Sequence, residues 1–104
     1  MRCFEFENRE DRLDSVMIRK RFVFYGSVQG VGFRWRARQA AYLHSCTGWC
    51  QNELDGSVIM EIQGTEEQID QVILAIEAGR YVWIKDMRVD SIPLEESERG
   101  FWTD

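Results

Sequence analysis

The segment Gly26-Ser27-Val28-Gln29-Gly30-Val31-Gly32-Phe33-Arg34 places three glycines and a guanidinium where an apolar run, Phe22 to Tyr25, gives way to helical spacing. Residues of those types at a strand-to-helix turn suit the holding of an anion. Glycine lets backbone N–H groups converge without a side chain in the way, and the next helix offers the unpaired amides of its first turn. Arginine adds a fixed charge with planar donors. The ligand implied is a phosphate or a carboxylate.

The charge distribution supports that reading. The chain of 104 residues carries a net charge of −5, which argues against general nucleic-acid binding, since that rests on many lysine and arginine contacts to phosphates. From Ser15 to Asn52, however, there are six basic residues (Arg19, Lys20, Arg21, Arg34, Arg36, Arg38) and no acidic ones, so all 18 Asp and Glu lie elsewhere. A small anion is attracted to the turn, while a long polyanion is repelled by the rest.

The elements that must position the turn follow from periodicity. Residues 1–16 mix both charges without a sustained period and are expected to form a flexible N-terminal extension to a domain spanning residues 17–104. A strand is predicted from about Ile18 to Ser27, and a helix from about Phe33 to His44 with Phe33, Ala37, Ala40 and Ala41 on one face. Gly48 to Asn52 reads as a second strand, followed by an Asp-Gly hairpin loop at residues 53–56. Val58, Met60 and Ile62 then alternate with Ile59, Glu61 and Gln63, giving a third strand that Gly64 ends. Thr65 and Gln68 form a capping-box pattern ahead of Ile69, Val72, Ile73 and Ile76, with Gly79 as the stop. A fourth strand is predicted over about Lys85 to Leu94, at an edge or ending at Pro93, and a short fifth over Phe101 to Thr103.

This order predicts an α+β fold, the ferredoxin-like βαββαβ two-layer sandwich: an antiparallel sheet of four to five strands with two helices on one face. One domain of this size has room for one core. No apolar run approaches the roughly 20 residues that a membrane span requires, and the start of the chain is acidic where a signal peptide is apolar. Three cysteines, Cys3, Cys46 and Cys50, cannot all pair within one chain and fit reducing surroundings better than a disulfide framework, with a bridge from Cys3 to Cys46 or Cys50 left open. A cytoplasmic monomer with no membrane or nucleic-acid partner is expected.

That fold hosts many activities, so function rests on the motifs. Gly26 to Arg34, followed by Gly48-Trp49-Cys50-Gln51-Asn52 and Asp55-Gly56-Ser57-Val58, closely resembles the two signatures of the acylphosphatases. The spacing of 18 residues from Arg34 to Asn52 matches as well. The resemblance implies hydrolysis of a small acyl phosphate to a carboxylate and inorganic phosphate, with no cofactor, metal or covalent intermediate. It assigns phosphate binding to the backbone amides of Gln29, Gly30, Val31, Gly32 and Phe33 and to the Arg34 side chain. Asn52 orients the attacking water. Ser45 and Cys46 stand where glycine and leucine are commoner in the family, and Glu53 puts a carboxylate next to Asn52.

Elementary chemistry accounts for so sparse a set. A carboxylate is a weak base, its conjugate acid having a pKa of about 4, so it leaves phosphorus without a general acid. What remains is positioning and stabilisation of charge on three equatorial oxygens, tasks that amides and one guanidinium can perform. An asparagine accepts from water through its carbonyl and donates through its amide. The base could then be the substrate phosphate itself.

Two alternatives stand beside this reading. One is a non-catalytic phosphate-binding or docking module of the same fold. The other is a single-stranded RNA binder of the same element order, which needs an aromatic and basic motif on the third strand that Val58 to Gln63 lacks. His44 lies a helix length from the turn and is read as a surface or helix-end residue. Cys46 and Cys50 lack the second pair that a zinc site requires.

Overall fold

Period-two alternation builds the sheet. In the computed structural model, which describes residues 16–103, the strands are β1 Met17–Ser27, β2 Thr47–Asn52, β3 Val58–Thr65, β4 Trp83–Ile92 and β5 Phe101–Thr103. Helices α1, Phe33–Leu43, and α2, Glu66–Glu77, lie between β1 and β2 and between β3 and β4. Apart from Val16, the predicted extension lies outside the described residues, as does Cys3.

Even-numbered positions on three strands form the floor of the core: Phe22 and Phe24, Cys50, then Val58, Met60 and Ile62, all buried. Phe33, Ala37, Ala40 and Ala41 of α1 and Ile69, Val72 and Ile76 of α2 complete the same cluster, so both helices cover one face. Small alanines on α1 let it approach the sheet closely, and they are strong helix formers. The α2 capping box is present: Gln68 N donates to Thr65 Oγ1 at 3.1 Å and Thr65 N donates to Gln68 Oε1 at 2.9 Å.

The strand order is β4-β1-β3-β2-β5. β1 pairs antiparallel with β3 and β4, and β2 pairs antiparallel with β3, with Asn52 opposite Val58. β5 runs parallel to β2, with Gly48 opposite Phe101, so the expected antiparallel sheet holds for β1 to β4 and the fifth strand makes its edge mixed. The reason is geometric. β4 runs opposite to β2, and the chain reverses once after Pro93, so it returns in the direction of β2. Pro93 falls just past an edge strand, where a missing N–H costs no ladder bond.

The reversal is pinned across the helix-free face by a charge cluster. Arg19, 3% exposed, donates from both terminal nitrogens to Glu98 at 2.7 and 3.1 Å and to Glu61 at 3.1 Å. Burial pulls the guanidinium down, but the bonds to Glu98 and Glu61 outweigh it and the net shift is upward, so the group stays charged. Gln63 exchanges two further bonds with the Glu95 backbone. The helix-to-strand connection explains one family departure: Ser45 adopts φ 60°, the left-handed region where glycine carries no steric penalty. Cys46 fills the apolar slot beside it, 4% exposed, and Cys50 is buried as well.

Candidate active site

The turn is fixed in place by its two ends. Upstream, β1 carries Phe24, which is fully buried and stacks at 5.5 Å on Phe22. Downstream, Phe33 is the first residue of α1 and packs its ring on Phe24 at 4.8 Å. A ring buried at each end leaves the intervening backbone little room to wander. Gly30 and Gly32 take φ of 72° and 84°, alternating with Val31, which has no positive φ. Such alternation can turn successive N–H groups toward one point, the geometry that anion nests use. Cβ atoms on these glycines would meet nothing within 4 Å, so backbone conformation, rather than crowding, is what requires glycine here.

The two helices differ at their N-termini. α2 caps itself with Thr65 and places Glu66 and Glu67 in its first turn. α1 has Gly32 as its N-cap, no side-chain cap and no acid in the first turn. No side chain of the helix competes there for an external anion, which the positive dipole end favours.

Gly30, Gly32, Phe33, Arg34 and Asn52 line one cavity of about 170 Å³, together with Val28 and Trp35. Asn52 reaches it because the alternation of β2 puts residues 48, 50 and 52 on the helix-covered face, beneath the start of α1. Its Oδ1 is buried and has no hydrogen-bond partner among the described residues. Glu53, the carboxylate that threatened the site, does not line the cavity; its Oε2 accepts from Gln51 Nε2 at 3.0 Å.

Two expected phosphate-binding residues, Gln29 and Val31, do not line the cavity. Val31 packs against the core. The side chain of Gln29 does something that sequence reasoning missed: its Nε2 donates to Glu53 O at 2.7 Å and to Ser57 O at 2.8 Å. It clips the glycine turn to the hairpin that follows Asn52, joining the halves of the site. That hairpin is stiffened locally, since Ser57 N and Oγ donate to Asp55 Oδ1 at 2.9 and 2.6 Å. Those bonds, the Ser57 hydroxyl foremost, hold the Asp55 carboxyl below its ordinary pKa. Trp35 was also missed, although its place directly after Arg34 in a first helical turn was a signal. His44 sits at the C-cap of α1, as expected of a helix-end residue. Among the described residues no group of three or more His, Cys, Asp or Glu is arranged to hold a metal ion, and no helix is long and apolar enough to cross a membrane.

Comparison with known proteins agrees with this architecture. The sequence model of one family, Acylphosphatase, matches residues 20–103. An acylphosphatase of Oceanobacillus iheyensis is 41% identical over 69 residues, spanning 64% of this chain and 76% of the relative. Another, from Clostridium beijerinckii, is 35% identical over 86 residues, spanning 82% and 96%. The crystal structure of the Bacillus subtilis acylphosphatase superposes with a TM-score of 0.76 at 27% identity, covering 84% of this chain and 98% of that one.

Proposed function

The chain belongs to the acylphosphatase family, and we propose from that premise that it hydrolyses small acyl phosphates, with Arg34 and Asn52 as the catalytic side chains. The phosphoryl group sits in the nest that Gly30 and Gly32 open beside Phe33 and is clamped by the Arg34 guanidinium. A water held by the Asn52 carbonyl attacks phosphorus in line with the acyl oxygen. The new bond joins water oxygen to phosphorus, and the bond from phosphorus to the acyl oxygen breaks with its electron pair leaving on the carboxylate. The water proton passes to a phosphate oxygen and then to solvent. No metal takes part: the leaving group needs no protonation, and charge on the equatorial oxygens is met by amides and one guanidinium.

One observation carries the reading. Asn52 keeps a buried acceptor unpaired beside Arg34 and the two left-handed glycines, and an unsatisfied buried polar atom costs about 1–3 kcal/mol. A site that binds a water there offsets that cost.

The test is hydrolysis of benzoyl phosphate by the purified chain with chelator present, alongside R34A and N52A. R34A is expected to lose phosphate affinity and turnover together. N52A is expected to lose turnover, about 10²-fold or more, while inorganic phosphate still inhibits or binds with near-normal affinity. Near-normal turnover in N52A refutes the mechanism. A folded wild-type chain that binds phosphate but turns over nothing is a phosphate-binding or docking module instead.

A further inference from the structure

The phosphate end of the substrate has a cradle; the acyl end needs a surface. Val28 and Phe33 line the phosphate cavity but are each 1% exposed, so they have no apolar area left to offer. Trp35 lines the same cavity and is 66% exposed. It is the third residue of α1, and side chains on a helix lean toward its N-terminus, so the indole leans toward the glycine turn.

Trp35 also forms the wall of a second cavity of about 190 Å³ between the two helices, where Ala40 and Leu43 of α1 face Ala75 of α2. Leu43 is 75% exposed. One exposed indole is thus shared by the phosphate cavity and an adjoining groove in which Ala40, Leu43 and Ala75 give an apolar stretch flanked by Arg36, Gln39 and His44. Arg36 is held at that groove by donating from a terminal nitrogen to Ala75 O at 3.2 Å.

We propose that Trp35 is the acyl platform, and that the chain prefers acyl phosphates whose acyl group is aromatic or apolar and larger than acetyl. This rests on the hydrolase reading above. Arg34 and Trp35 are about 100° apart around α1, so the guanidinium can hold phosphate while the indole receives the group on the far side of the scissile bond. An aromatic acyl group stacks on the ring and loses water-exposed area in doing so; acetyl is too small to gain much from either.

The experiment compares kcat/KM for benzoyl and acetyl phosphate in the wild-type chain, W35A and W35F, with the inhibition constant of inorganic phosphate measured for each. The expected result is a wild-type preference for benzoyl phosphate that W35A reduces about tenfold, with acetyl phosphate and phosphate inhibition changed less than about threefold. W35F is expected to restore most of the preference. Equal losses on both substrates, or a preference unchanged in W35A, overturn this inference while leaving the hydrolase reading intact. A wild-type chain that hydrolyses neither substrate overturns the hydrolase reading, and this inference with it.

Discussion

Replacing Gln29 with alanine removes both hydrogen bonds that tie the glycine turn to the hairpin. The magnitude follows from what the two acceptors retain. Glu53 O still accepts from Gly56 N at 3.1 Å, and Ser57 O still accepts from Glu53 N at 2.9 Å. Neither carbonyl is stranded, so the cost is the net value of two ordinary bonds, about 2 kcal/mol, without the larger penalty of a buried orphan. For a domain of this size, that lowers Tm by about 8–16 °C. Q29E should be worse than Q29A, because its carboxylate oxygen would face the two carbonyls that the amide now serves. Turnover should fall with stability in a particular way. The nest keeps its glycines and Arg34, so phosphate affinity changes little, whereas Asn52 loses its fixed relation to the turn and kcat drops about 10- to 100-fold. Urea titration with steady-state kinetics on acyl phosphate reads both quantities. Stability within about 0.5 kcal/mol of wild type in Q29A, or equal stability of Q29A and Q29E, would show that the clip does not join the two halves of the site.

Two further outcomes test the frame. T65A removes the acceptor of the α2 capping box and should cost about 1 kcal/mol in urea unfolding, with kcat unchanged because α2 contributes no residue to the phosphate cavity. Burial pushes the Cys46 thiol up to about 11, so the folded chain keeps a proton that the unfolded chain gives up. Its contribution is therefore complete below the ordinary thiol pKa of about 8.5 and is lost as pH rises through about 11. Wild-type stability should fall more steeply than that of C46A across that window, and parallel pH profiles would contradict the assignment.

Tertiary structure decided which residues of the turn line the cavity and which hold the turn in shape. Gln29 and Arg34 are near neighbours in the same motif, yet one points to the hairpin and the other lines the cavity. Sequence spacing carries no information about that division, because it depends on where residues 53–57 come to lie. The same holds for Trp35, whose exposure between two cavities exists only once α1 is set against α2. It holds too for β5, whose direction follows from a single chain reversal held by the Arg19 and Glu98 pair across 79 positions of sequence.

The sequence by itself determined what depends on neighbours along the chain. Alternation at Val58, Met60 and Ile62, the helical spacing of Ile69, Val72 and Ile76, and the Thr65 and Gln68 box are local patterns, and local patterns fix strand faces, helix faces and caps. The glycines of the turn were legible for the same reason: φ of 72° and 84° is a demand on single residues that glycine alone meets without cost. What the fold added is convergence. Asn52 and Arg34 share a cavity because β2 returns beneath the start of α1, and only a packed core makes two segments 18 residues apart meet at one cavity.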